Sequence, residues 1–139
     1  MTTYSGSGTL AGRRINTLVA FAFGAVFVLV GLTGFFVSGG HHAVGETGGD
    51  LLGLFRVNVL HNIVHLGVGA ALIAAAIVGN RAAKTANVLF GVVYLVVFAY
   101  GLFAVGSGAN IIALNGADNA LHLVLGLVLT TVGLATDRK

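Results

Sequence analysis

The chain contains no cysteine, no proline and no tryptophan, and only 8% of its 139 residues are charged. Without cysteine it can form no disulfide, thiolate metal ligand or redox thiol. A typical soluble domain has about 25% charged residues, so this chain has too few charges to cover a water-facing surface. Its net charge of +3 is small and scattered, which argues against a nucleic-acid partner. The 57% of apolar residues predict a protein whose surroundings are largely lipid.

Four apolar segments are each close to the length of about 20 residues that a helix needs to cross a bilayer. They cover residues 15–38, 54–78, 86–105 and 114–135. A segment in lipid must satisfy its own backbone hydrogen bonds, so we expect helices rather than strands. The prediction is an all-α membrane protein with a single four-helix domain over residues 13–139, preceded by a flexible tail over residues 1–12.

Basic residues lie almost entirely on one side of the predicted spans. Six of the seven lie before the first span, between the second and third, or after the fourth: Arg13, Arg14, Arg81, Lys84, Arg138 and Lys139. Only Arg56 lies on the opposite side. The positive-inside rule therefore predicts that both termini are cytoplasmic and that the two glycine-rich loops lie outside.

A polar motif occurs twice, each time at the start of an apolar run. The copies are Asn58-x3-Asn62-x2-His65-Leu66-x2-Gly69-x2-Leu72 and Asn115-x3-Asn119-x2-His122-Leu123-x2-Gly126-x2-Leu129. They are 57 residues apart, and the first and third spans match more faintly at a separation of 71, which pairs Asn16 with Asn87. The repeat predicts two tandem helical hairpins with pseudo-twofold symmetry about the membrane normal.

The spacing of each motif places its polar residues on one stripe of a helix. Polar side chains are costly in lipid, so these stripes are expected to face the interior of the bundle. His65 and His122 are then predicted to lie at equal depth on facing helices, in the outer half of the bilayer. Gly69 and Gly126 should let neighbouring helices approach closely below them.

Two interpretations of this layer follow from the residue types. His65 and His122 could bind b-type haem or a transition metal, with Asn62 and Asn119 orienting the rings. Alternatively the layer binds no cofactor and hydrogen bonds across the helices, fixing their packing. That structural polar cluster would comprise Asn58, Asn62, Asn115 and Asn119.

A second candidate site extends the first. His61 and His65 are four residues apart, as are Asp118 and His122, so each pair projects to one side of its helix. Together they make three imidazoles and one carboxylate, a ligand set for tetrahedral Zn²⁺ or for copper or iron. The interpretation we favour is a solvated polar rim, in which His61 and Asp118 contact water at the helix ends on the outer surface.

The first outer loop adds a third group of polar residues: His41, His42, Glu46 and Asp50. Such a loop could pass a metal to the membrane site or cover it, although a solvated loop is the more ordinary interpretation. The sequence has no phosphate-binding loop, no serine–histidine–acid set at a plausible depth and no pair of carboxylates in one span. We therefore expect that the protein is not an enzyme.

The motifs at Asn62, His65 and Leu66 and at Asn119, His122 and Leu123 resemble a family of small four-helix bacterial integral membrane proteins of unknown function. The resemblance extends to the chain length, the four spans and the Arg-x-Asn sequence formed by Arg14 to Asn16. It implies a multi-pass protein of the bacterial plasma membrane with a supporting or stress-related role. It brings no catalytic residues.

The function expected from the sequence is that of a structural or accessory subunit. Its partners would be the lipid bilayer and other copies of itself or a larger membrane complex, with no nucleic acid. The alternative function is the binding of haem b or a transition metal through His65 and His122.

Overall fold

Four long helices make up most of the protein in a computed structural model that describes residues 14–137. The helices are α1 (Ile15–Ser38), α2 (Val59–Val78), α3 (Asn80–Ala104) and α4 (Gly116–Ala135). Each is long and apolar enough to cross a membrane, which confirms the prediction of four spanning helices. The tail predicted over residues 1–12 lies outside the described residues.

The second span differs from its prediction because its first residues form a strand. The first outer loop contains β1 (Gly49–Leu51) and β2 (Phe55–Val57), which pair antiparallel. At the tip, Leu52 and Gly53 have φ angles of 56° and 69°, the left-handed values that a type I′ turn requires at both central positions. The expectation of a helix over residues 54–58 is therefore wrong.

Two other helices also begin at residues that differ from the prediction. The third helix begins at Asn80, six residues before its predicted start, because a single residue, Gly79, makes the turn with φ 135°. Residues other than glycine rarely adopt this backbone angle. The fourth helix begins at Gly116, after Asn115.

Matched asparagines begin α2 and α4. The Asn58 side chain accepts a 2.9 Å hydrogen bond from the backbone N–H of His61, and Asn115 does the same for Asp118. Both side-chain amides also donate to backbone carbonyl groups of the outer loops, at 2.8–2.9 Å. Each asparagine thus caps its helix and ties the outer loops to the helix start.

Glycines allow the two helices of each hairpin to meet backbone to backbone. A Cβ atom added at Gly69 of α2 would lie 2.7 Å from the carbonyl oxygen of Gly24 in α1. A Cβ atom added at Gly126 of α4 would lie 3.0 Å from the carbonyl oxygen of Gly91 in α3. The predicted close approach at Gly69 and Gly126 is confirmed.

These contacts correct the predicted pairing of the first and third spans. Gly24 and Gly91, which make equivalent contacts, are 67 residues apart and not 71. Asn16 and Asn87 are partners instead of equivalents, because the Asn87 Nδ2 atom donates to Asn16 Oδ1 at 3.0 Å. The error is one helical turn, and a slip of four residues keeps the same helix face, so the apolar pattern does not detect it.

A second set of polar contacts holds the helices together at the end of the bundle opposite the outer loops. The Asp137 carboxylate, which follows α4, accepts hydrogen bonds from the backbone N–H and the Nδ2 atom of Asn16 at 3.0 and 2.8 Å. It also accepts from Asn80 Nδ2 at 2.9 Å. The end of α4 therefore caps the start of α1, where Arg14 provides no side-chain cap.

We predict that Asp137→Ala lowers the free energy of unfolding by about 0.5–2 kcal/mol, the range for loss of a helix N-cap. Burial raises the pKa of the Asp137 carboxyl, but hydrogen bonds from Asn16, Asn80 and Ile15 outweigh burial and lower it. The stabilisation is therefore fully present above the unfolded-state pKa of about 3.9 and is lost as pH falls through the lower folded-state value. Unfolding measured across this pH range should show a dependence that Asp137→Ala weakens; an unchanged profile would contradict the cap.

Candidate functional site

Three histidines and one aspartate converge inside the bundle. His61 and His65 project from the first two turns of α2, and Asp118 and His122 from the first two turns of α4. Their exposed fractions are 2, 6, 3 and 2% in that order. The interpretation of His61 and Asp118 as a wet polar rim is therefore wrong, because the helices and outer loops bury both. We call these four residues the His/Asp cluster.

The polar atoms of the His/Asp cluster lie close together without hydrogen bonding. The two Asp118 carboxylate oxygens lie 3.8 Å from His61 Nε2 and 4.0 Å from His122 Nε2. The three histidines each offer one nitrogen, and these nitrogens lie within 4.8 Å of one another. These separations exceed hydrogen-bond lengths but approach the spacing of ligands around one ion.

Aromatic rings surround the His/Asp cluster. The His61 and His65 rings stack with centroids 4.6 Å apart. Phe27 of α1 stacks on His65 at 5.8 Å, and Tyr94 of α3 stacks on His122 at 5.2 Å, both with interplanar angles of 23°. Sequence reasoning missed Phe27 and Tyr94 as neighbours of the histidines. Phe27 and Tyr94 are 67 residues apart, whereas the predicted separation of 71 residues between the first and third spans paired each of them with another residue.

Several buried polar atoms in this region have no hydrogen-bond partner among the described residues. They are the Nδ1 atoms of His65 and His122, the Asp118 Oδ2 atom and the Tyr94 hydroxyl. Leaving a buried polar atom unsatisfied costs about 1–3 kcal/mol, and more when it is charged. These atoms therefore have unused hydrogen-bonding or ligand capacity.

Asn62 and Asn119 do not orient the histidine rings, which corrects that prediction. Asn62 Nδ2 donates to the Ser38 hydroxyl at 3.0 Å, which ties α2 to the end of α1. Its amide also fills the space beside Gly34, where an added Cβ atom would overlap it. Asn119 fills the equivalent space beside Gly101 in α3. Both contacts join the two helices of a hairpin and support a packing role for these asparagines.

The acidic and histidine residues of the first outer loop lie outside the His/Asp cluster. His41, His42, Glu46 and Asp50 are all exposed. Asp50 pairs with the Nε atom of Arg56 at 3.3 Å. The cleft that His41 and Glu46 line between the outer loops includes none of the four cluster residues. The solvated-loop interpretation therefore suits these residues.

One comparison with known proteins identifies a family. The model of a family described as a domain of unknown function, DUF4383, matches residues 17–135, which include the His/Asp cluster and all of the four helices except the first two residues of α1. No curated protein and no solved structure matches the chain at a significant level.

Proposed function

The chain belongs to the DUF4383 family of unknown function, and we propose that it is a small non-enzymatic membrane protein that binds one divalent transition-metal ion in the His/Asp cluster. The observation that carries this proposal is the convergence of three buried histidine nitrogens within 4.8 Å of one another. The Asp118 carboxylate lies 3.8 Å from His61 and 4.0 Å from His122 and adds negative charge; we propose that it moves toward the three nitrogens as the fourth ligand.

The ligand set fits a tetrahedral ion. Zinc binds imidazole nitrogen and carboxylate oxygen at about 2.0–2.2 Å, which spaces the ligands about 3.4 Å apart. The carboxylate–imidazole separations of 3.8 and 4.0 Å need to shorten by about 0.5 Å, and the histidine nitrogens, which lie within 4.8 Å of one another, by up to about 1.4 Å. Four protein ligands leave no position for a substrate, as in structural zinc sites. This closed coordination supports a non-enzymatic role.

The geometry favours an ion over haem b. Haem would need open space between His65 and His122, its two axial ligands. The His61 ring, the Phe27 ring and the Tyr94 ring already pack against these two histidines. The adjoining cavity has a volume of about 150 Å³, which has room for a single aromatic ring but not for the much larger haem.

The proposal predicts one retained zinc ion per chain. Protein purified in mild detergent is stripped with a chelator, loaded with zinc, freed of excess and assayed for metal content. His65→Ala and His122→Ala each remove a direct ligand, so affinity should fall by more than the roughly 10–100-fold caused by loss of a ligand's hydrogen-bond partner. His41→Ala, an exposed loop histidine, serves as the matched control and should leave zinc binding unchanged.

Two results would contradict the metal proposal. The first is zinc retention that His65→Ala and His122→Ala leave unchanged. The second is a Soret absorption band in the purified protein that His65→Ala removes, which would support haem b instead.

We also propose that both termini face the cytoplasm of a bacterium, with the His/Asp cluster in the outer half of its plasma membrane. The hydrogen bonds of Asp137 to Asn16 and Asn80 bring the start of α1, the α2–α3 turn and the end of α4 to one end of the bundle. Arg81, the second residue of α3, lies at that end and is exposed. The positive-inside rule supports a cytoplasmic position for this end.

A pseudo-twofold axis along the membrane normal is a further part of the proposal. Phe27 and Tyr94 stack on His65 and His122 with the same interplanar angle. The glycine contacts within the two hairpins repeat at the same separation of 67 residues. These paired contacts support two equivalent hairpins that contribute their histidines to one shared site.

We also propose the accessory role expected from the sequence, with the exposed exterior of the helix bundle as the contact surface. Phe36 of α1 and Phe103 of α3 are 89 and 83% exposed, and they are also 67 residues apart. These large apolar side chains at matched positions offer two equivalent places where further copies or a larger membrane complex can replace lipid. The metal would then hold the bundle in register while its outer faces bind the partner.

A further inference from the structure

A small apolar cavity adjoins the His/Asp cluster on one side of the bundle. It lies between α1 and α4, has a volume of about 150 Å³ and has Asp118, His65 and His122 in its wall. The rest of the wall is apolar, with Val30 of α1 and Leu125 of α4 among its residues. An engineered protein cavity of about 150 Å³ lined by apolar side chains binds benzene. This cavity therefore has room for one aromatic ring.

The β1–β2 hairpin covers the cavity from the outer side. Leu52, Phe55 and Val57 of this hairpin contribute to the cavity wall. The hairpin backbone at Gly49 presses on the end of α1, where an added Cβ atom would overlap the Val37 carbonyl group. Water on the outer side is thus separated from the cavity by the hairpin.

The cavity wall includes partly exposed apolar side chains of two spanning helices. Val26 of α1 and Leu121 of α4 are 52 and 37% exposed, and both line the cavity. We therefore expect a ligand to enter sideways from the hydrocarbon, between α1 and α4, and to dissolve in lipid.

One wall of the cavity contains a hydrogen-bond acceptor. Asp118 is 3% exposed, and its carboxyl group contributes to that wall. A carboxyl oxygen accepts hydrogen bonds. A ligand hydroxyl in the cavity can donate a hydrogen bond to this group, whereas a charged ligand would be excluded by the apolar wall.

We propose that the cavity binds the ring of a lipid-soluble phenol or quinol, whose hydroxyl group donates a hydrogen bond to Asp118. Any longer apolar tail leaves through the gap between α1 and α4 into the lipid. Zinc in the His/Asp cluster would occupy the Asp118 carboxylate, so the phenol or quinol binds the metal-free protein. The inference does not rest on the proposed metal binding and goes beyond it.

The test uses fluorine NMR of 4-fluorophenol with the full chain in lipid nanodiscs, after chelator treatment. Fluorobenzene, which lacks the hydroxyl, is the comparison probe, and empty nanodiscs measure partitioning into lipid. Saturable binding of 4-fluorophenol is expected, about tenfold tighter than that of fluorobenzene, because only the phenol can donate a hydrogen bond to Asp118.

Three variants locate the binding. Val30→Phe fills the cavity and should abolish saturable binding of both probes. Leu29→Phe, on the neighbouring lipid-facing position of α1, is the matched control and should leave binding unchanged. Asp118→Asn keeps the shape of the cavity and should remove most of the preference for the phenol.

The inference is overturned if no saturable binding occurs, if Val30→Phe leaves it unchanged, or if Asp118→Asn keeps the full preference. The folding of each variant is checked by its helical circular dichroism. Zinc binding is measured separately by metal content, so failure of one proposal is distinguishable from failure of the other.

Discussion

Gly69→Ala should destabilise the protein by several kcal/mol or prevent its assembly. The new Cβ atom would lie 2.7 Å from the Gly24 carbonyl oxygen and 2.8 Å from the Val28 backbone nitrogen. Neither neighbour is a flexible side chain, so α1 and α2 must separate to admit it. Overpacking of a close-packed core typically costs about 1–3 kcal/mol and sometimes more. Separation of these helices would also loosen the Phe27–His65 contact above.

Gly67→Ala is the matched control, because Gly67 lies two residues away on the opposite, exposed face of α2. No atom lies within 4 Å of a Cβ atom added there. Alanine favours a helix over glycine by about 1 kcal/mol, so this variant should be as stable as the parent or more stable. Unfolding in mixed micelles measures both variants. Equal stability of Gly69→Ala and Gly67→Ala would contradict the backbone contact between the helices.

Asp118→Asn should have opposite effects on the protein with and without zinc. Without metal, the buried Asp118 carboxyl group has no hydrogen bond at Oδ2, and its oxygens lie 3.8 and 4.0 Å from the Nε2 atoms of His61 and His122. Replacement by the neutral amide of similar shape should raise the free energy of unfolding by about 1–3 kcal/mol. Zinc at 100 times its dissociation constant should stabilise the parent protein by about 2.7 kcal/mol. The variant lacks the carboxylate ligand and should lose most of that zinc effect.

The same unfolding measurement, with zinc or with excess chelator, tests this reversal. Asp50→Asn is the control because Asp50 is an exposed acid paired with Arg56 in the outer loop. It should leave the zinc effect unchanged. If zinc stabilises Asp118→Asn as strongly as the parent protein, Asp118 is not a ligand and the four-ligand site is wrong.

The helices were predictable because lipid imposes a simple rule on sequence. A spanning helix needs about 20 apolar residues, and the four segments supply them. The β1–β2 hairpin was not predictable from that rule, since Phe55 and Val57 are apolar and extend the apolar run of α2. The turn at Leu52 and Gly53, with its positive φ angles, and the cap that Asn58 provides for α2 set the boundaries of the hairpin and the helix. An Asn before an apolar run is a usable signal for a helix start.

The convergence of His65 and His122 was predictable from the repeated motif, because equivalent positions on facing helices lie at equal depth. The burial of His61 and Asp118 was not, since it depends on how the outer loops close over the helix ends. The cap that Asp137 provides for α1 was also missed. It joins residues more than 120 positions apart, and no local spacing predicts such a contact.

X-ray absorption at the zinc edge tests the central claim most directly, because it reports the ligands around the bound ion. The zinc-loaded protein should show four nitrogen and oxygen neighbours at about 2.0–2.2 Å, with the outer scattering of imidazole rings. His65→Ala and His122→Ala should each weaken that imidazole signal. Six oxygen neighbours without imidazole scattering, or a signal that neither variant changes, would contradict a metal site in the His/Asp cluster.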